Sequence, residues 1–291
     1  MQRIDFRDQI SRNKRNSVFL MVTVFVVLVL FGYVISFAFE PGFFFIIMII
    51  SIVFSIGYIW ISFYNSDKIA VASVGARKAS REKYPDFYRL VEGLTIASGL
   101  PMPKLYVMES SQINAFASGR NPENAVVCVT TGALDKLERR ELEGVLAHEL
   151  GHVGNYDIRY MTLVAVMVGM ISIISQIFLR SLWFRNGGND KNKMVFVLIG
   201  IVMAILAPIV VYLVQMAISR RREYSADATA VKFTRYPEGL IKALKKIQND
   251  PSVSEKRVSK AVAPLFFANP LKGLSSTHPP LEKRISALER M

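Results

Sequence analysis

The chain has 291 residues, 52% of them apolar, and a formal net charge of +13 at pH 7. Its mean hydropathy of +0.31 is too high for an ordinary soluble protein, so either the core is unusually large or part of the chain lies in lipid. A single cysteine, Cys128, excludes an internal disulfide and a CxxC site; the basic residues flank apolar runs, which fits anionic lipid headgroups and argues against a nucleic-acid partner.

Residues 1–16 are a basic stretch carrying Arg3, Arg7, Arg12, Lys14 and Arg15. An uninterrupted apolar run follows at 17–39 and a second at 43–64, separated by Glu40, Pro41 and Gly42. Each can cross a hydrocarbon core of about 30 Å. The first is too long for a cleaved signal peptide, lacks a small-residue cleavage site and leads directly into the second. Residues 17–64 are therefore predicted to form a transmembrane hairpin. Lys68, Arg77, Lys78 and Arg81 follow it, while the loop between the runs has no Lys or Arg. The positive-inside rule then places the N-terminus and the region after Lys68 in the cytoplasm.

Residues 66–158 form the first soluble part. Asp86 to Ala97 reads as an amphipathic helix. Leu105–Met108, Ala115–Ala117 and Ala125–Thr130 read as short strands, the last holding Cys128. Asn114-Ala115-Phe116-Ala117 is proposed as an edge strand that holds an extended peptide by backbone hydrogen bonds; a strand wholly internal to the sheet is the equal alternative. Glu138 to Val153 then has apolar residues at helical spacing, with Gly144 and Gly151 marking close approach of other elements.

That helix contains the most informative residues of the chain, His148-Glu149-Leu150-Gly151-His152. Histidines at i and i+4 share one helix face, so one zinc ion can take a nitrogen from each, and Glu149 sits where a catalytic carboxylate is needed. Two core histidines spaced by chance would leave an ionisable Glu unexplained on a mostly apolar helix.

Two more apolar runs, 160–179 and 194–216, are expected to span as a second pair; a buried soluble hairpin is the alternative, given Gln176 and Gln215. Arg180, Arg185, Lys191 and Lys193 between them sit badly with an outside loop. Residues 217–291 form the second soluble part. A catalytic zinc needs a third protein ligand. His278 is one candidate. Glu223 is another, one turn before Asp227 on the same helical face, a pairing that suits a ligand plus an acceptor for a ligand histidine's free N–H. Glu223 could equally pair with the arginines before it.

H-E-L-G-H, a pair of spans, R-R-R-E-Y-S-A-D, the N-A-F-A strand and a late Thr277-His278-Pro279 together resemble the M48 metallopeptidases, within these the HtpX membrane proteases. The resemblance covers nearly the whole chain. It implies an α+β fold: a mostly helical integral membrane protein with four transmembrane helices and a zincin-type cytoplasmic metalloprotease domain carrying a small β-sheet. It implies one Zn2+ per chain on His148, His152 and Glu223, with Glu149 as the catalytic carboxylate. Asp227 would orient a ligand histidine, with His148 the candidate. His278 would stabilise the oxyanion or hold a supporting loop, and Tyr224 is another donor candidate. The implied function is a zinc metalloendopeptidase of the cell membrane, multi-pass, acting from the cytoplasmic side on misfolded or damaged membrane proteins, with room for an oligomer. The related CAAX proteases process prenylated C-termini but are longer, with more spans enclosing a chamber. A transporter fits poorly, because the spans carry no charge. A scaffold with a vestigial metal site would lack a ligand or the acid, and all four are present.

Overall fold

The computed structural model describes residues 6–36, 41–165, 220–250, 266–267 and 279–291. Helix α1 (Phe6–Ser36) starts well before the apolar run, because nothing in the basic stretch after Phe6 breaks a helix. A short 3-10 turn (Pro41–Phe43) leads into α2 (Phe44–Tyr64), and the two helices pack side by side. Ile10–Tyr33 and Pro41–Tyr64 are long and apolar enough to cross a membrane. Their outward faces expose Phe19, Val22, Val26 and Leu30 on α1 and Phe45, Ile49, Val53, Phe54 and Trp60 on α2. Such a contiguous apolar surface is what lipid, not water, would cover.

Helix α3 (Ser66–Ser73) carries the chain into the soluble part, where Lys104 reaches back to Asp67 at 3.0 Å. Arg120 donates to the carbonyl of Tyr64 at 3.1 Å and stacks on its ring, which ties the C-terminal end of α2 to the same body. Strands β1 (Arg77–Lys78), β2 (Lys104–Met108), β3 (Ala115–Ser118) and β4 (Val126–Thr130) form one sheet in the order β1-β2-β4-β3. The β2–β4 pair is parallel and the other two antiparallel. Helix α4 (Pro85–Ser98) connects β1 to β2, and α5 (Thr131–Lys136) follows β4.

Alternation along the strands divides the sheet between two apolar layers. Val127 and Val129 face the main core with Leu94, Leu146, Leu150 and Leu244, while Phe116 and Cys128 face a smaller cluster with Ala70, Met161 and Phe266. Cys128 is thus a buried strand residue, and burial pushes its thiol pKa up.

Helix α6 (Arg139–Gly154) carries the H-E-x-x-H residues and begins where the Glu141 carboxylate accepts the Glu138 N–H at 2.8 Å. Residues 157–165 are helical again and are called α7. Then come α8 (Arg220–Thr234), α9 (Pro237–Gln248) and α10 (Leu281–Leu288). The two glycines of α6 let two backbones close in. A Cβ at Gly144 would lie 2.7 Å from the Leu240 nitrogen of α9, and one at Gly151 would lie 3.2 Å from the Ala226 carbonyl oxygen of α8. Of the run at 160–179, residues 160–165 are described; all six are buried in protein, and Thr162 hydrogen-bonds Ser118 of β3 at 2.8 Å. The rest of that run and all of 194–216 lie outside the described residues.

Candidate active site and metal centre

Helix α6 is buried on nearly every face, wedged between sheet, α8 and α9, so its histidines are held in a dry interior. His148 and His152 point the same way, with their Nε2 atoms 3.1 Å apart. Glu223, on α8, brings its carboxylate 3.6 Å from each Nε2. The three ligand atoms lie within 4.8 Å of one another. Ligands about 2.0–2.2 Å from a tetrahedral zinc are about 3.3–3.5 Å apart, so this spacing fits the ion.

The hydrogen bonds behind the rings make the same point. His148 Nδ1 meets Asp227 Oδ1 at 2.9 Å, and His152 Nδ1 meets Asp157 Oδ2 at 3.1 Å. With both Nδ1 atoms donating to carboxylates, the two Nε2 atoms are left facing each other and a third carboxylate. Without a cation, a proton on His152 Nε2 bridges to the His148 Nε2 lone pair; once that proton is lost, the two lone pairs and the carboxylate form a donor set for one shared cation.

Glu149 is buried beside β3. Its Oε1 receives no hydrogen bond among the described residues. Burial pushes its pKa up to about 7, although the His152 charge and a hydrogen bond from the Ala117 N–H work the other way. The two histidines separate. Burial, helped by the Arg284 charge, lowers His148 to about 4. Burial also opposes a charge on His152, but the Asp157 hydrogen bond and the surrounding carboxylates outweigh it and raise that pKa to about 9.

Arg284, from α10, is fully buried and fork-bonded to Asp227, with Nε at 2.9 Å from Oδ2 and Nη2 at 2.6 Å from Oδ1. Its Nη1 is 3.3 Å from Glu223 and its plane lies over Phe267. Burial works against a charge on Asp227, yet Arg284 and His148 hold its pKa below the usual carboxylate range. Neither Arg284 nor Asp157 was picked out from the sequence. Asp157 had a readable signal, an acid just beyond the helix that carries His152; Arg284 had none.

The structure therefore brings together His148, Glu149, His152, Glu223 and Asp227, with Asp227 beside His148. His278 lies outside the described residues. Of the expected edge segment, Asn114 precedes β3, whose backbone carbonyl pairs into β4 through the Thr130 N–H at 3.0 Å. Ala115 and, by alternation, Ala117 turn their backbone groups to the outer edge. That edge is partly taken by the chain itself: the Phe267 N–H donates to the Ala115 carbonyl at 2.8 Å, and Phe116 bridges Phe266.

A histidine pair on one helix joined by a glutamate from a later one, with a buried acid between the histidines, defines a metallopeptidase centre. The model of "Peptidase family M48" matches residues 79–291, and the chain belongs to that family and is a metallopeptidase. It is 43% identical to the protease HtpX homolog of Dictyoglomus thermophilum over 100% of this chain and 96% of the relative. It is 38% identical to that of Listeria monocytogenes, over 98% of this chain and 99% of the relative. Among solved structures it resembles S. mikatae Ste24p, with a TM-score of 0.50 and 20% identity, over 97% of this chain and 66% of that one; this likeness concerns the fold alone.

Proposed function

We propose that the chain is a membrane-integral, zinc-dependent endopeptidase that cuts misfolded or damaged membrane proteins at the cytoplasmic face, with one Zn2+ per chain. The observation that carries this reading is the convergence of His148, His152 and Glu223 within 4.8 Å, next to buried Glu149. These three residues would hold the metal and leave a fourth position open. Zinc bound there would supply a Lewis acid that makes water nucleophilic near neutral pH.

The remaining steps belong to the chain's own residues. Glu149 takes the proton of the attacking water and returns it to the leaving amine. Asp227 and Asp157 accept from the Nδ1–H groups of His148 and His152 and keep both Nε2 lone pairs available. Arg284 holds Asp227 in place and balances the charge of the clustered carboxylates. The outer edge of β3 aligns the substrate backbone at Ala117 beside Glu149, and a peptide extending to Ala115 competes with Phe267. The oxyanion donor is His278 or Tyr224, His278 otherwise holding a supporting loop.

The topology is part of the proposal: spans at 17–39, 43–64, 160–179 and 194–216, with 66–158 and 217–291 as two parts of one cytoplasmic domain. Direct packing of α6 on α8 supports an even number of crossings between the two parts. The apolar hairpin adjoining the site supports membrane proteins as substrates.

The test compares full-length, detergent-purified, zinc-loaded protein with Glu149→Gln, following self-cleavage and cleavage of casein and of a membrane protein with an unfolded cytoplasmic loop. Cleavage that requires Glu149 and stops with a chelator supports the reading. Zinc binding without cleavage by either protein, or equal cleavage by both, overturns it.

A further inference from the structure

We propose that Asn13, on the first apolar helix, is a positioning residue for the metal site: its side-chain amide holds Asp157, and Asp157 in turn holds His152. The proposal rests on His152 being a metal ligand.

Asn13 is buried at 4% exposure on α1, between the exposed cations Arg12 and Lys14. A buried amide needs partners. The Asn13 Nδ2 group has two N–H bonds. One donates to the Asn155 carbonyl at 2.9 Å and the other to Asp157 Oδ1 at 2.7 Å. The second oxygen of Asp157 is the one that meets His152 Nδ1, at 3.1 Å. Asp157 is fully buried, so each of its oxygens depends on what the protein supplies. Three elements face it: α1 through Asn13, α6 through His152, and α8 through Arg222, whose Nε is 3.9 Å from Oδ1. Asn13 gives the shortest of these contacts. A carboxylate fixed at one oxygen by a rigid donor has little freedom to swing the other away from the imidazole.

The turn that carries Asp157 gives an independent observation. Tyr156 has φ of +58°, a conformation that a bulky side chain rarely adopts and that persists only where its surroundings enforce it. Asn13 supplies that enforcement by bonding the carbonyl just before Tyr156, while the Lys14 ammonium, 4.3 Å from the centre of the Tyr156 ring, contacts the side chain and not the backbone of the turn. The bonds run across 144 residues of sequence, from a helix that continues through the apolar run to a carboxylate that orients a histidine. How α1 is seated therefore fixes how His152 presents its nitrogen.

The experiment uses the full-length protein in detergent, carrying Asn13→Ala, the near-isosteric Asn13→Asp, or the docking control Lys14→Ala. Zinc affinity is read by chelator competition and ligand geometry from the visible spectrum of the cobalt(II)-substituted protein. Losing a partner behind a metal ligand commonly weakens binding about 10–100-fold. Asn13→Ala is expected at about the lower end, tenfold, with an altered cobalt spectrum. Asn13→Asp, which sets a carboxylate against Asp157, is expected to weaken binding at least as much, and Lys14→Ala to leave affinity within about twofold of wild type. Asn13→Asp keeps the size of the side chain, so it reports if the alanine variant does not fold. Wild-type affinity and spectrum in both Asn13 variants overturn the relay. So does an equal loss in Lys14→Ala, which would make the effect one of helix docking. His152→Ala separates this from the underlying reading: if wild type and His152→Ala bind zinc equally, the ligand assignment itself has failed.

Discussion

Replacing Arg284 by Met should destabilise the zinc-free protein more than any other single change at the site. The guanidinium is fully buried, forks onto Asp227 at 2.6 and 2.9 Å and lies 3.3 Å from Glu223. Met fills much of its volume but leaves two carboxylates buried without that cation. Breaking a buried ion pair by removing one partner costs about 3–5 kcal/mol. At about 2–4 °C per kcal/mol, this lowers the unfolding temperature by roughly 6–20 °C. Zinc should recover part of the loss, because it neutralises Glu223 but cannot reach the far side of Asp227. Arg284→Lys restores charge without the fork and should fall between the two. Thermal unfolding in detergent, with zinc and with chelator, reads all three. An Arg284→Met midpoint within about 2 °C of wild type in chelator would refute the reasoning, since it would mean that the buried carboxylates had been neutral or hydrated.

Other consequences are simpler to check. Glu149→Gln should keep zinc affinity and lose about 10²–10⁴-fold in kcat/KM, measured on a quenched peptide. In the metal-free protein His152 holds its proton up to about pH 9, so this raised pKa stabilises the fold fully below the ordinary value of 6.5 and the contribution fades as pH rises through 9. Zinc must displace that proton, so its apparent affinity should rise about tenfold per pH unit from 7 to 9 and level off above, as read by chelator competition. Gly144→Ala puts a Cβ 2.7 Å from a backbone nitrogen of α9 and should cost about 1–3 kcal/mol in denaturant unfolding, since neither helix can move without repacking the core.

The parts of the site legible in the sequence were those fixed by local spacing. His148 and His152 are four apart on one helix and Glu223 and Asp227 four apart on another, so the helical repeat put each pair on one face, with Glu149 next to the first. Gly144 and Gly151 stood out because glycine weakens a helix, which marks them as places where another element comes close. What spacing could not show was which distant residue closes the network. Arg284 lies 57 positions from Asp227 and Asn13 lies 144 from Asp157, and no periodicity links either pair. The strands were readable from their apolar runs, but β1, two residues long, has no pattern to read. Helix α9 did carry a signal, Leu240, Ile241, Leu244 and Ile247 on one face behind a proline. That α1 begins in the basic stretch also escaped a reading based on hydrophobicity, because charged residues continue a helix as readily as apolar ones.

The order of these residues along the chain has a consequence for biosynthesis. His148 emerges from the ribosome 136 residues ahead of Arg284, its neighbour in the folded site, and both histidines precede Glu223 by the whole apolar stretch between. A growing chain therefore holds two imidazoles and an acid but no complete chelate. Cleavage that depends on all three ligands therefore cannot begin before Glu223 has been made.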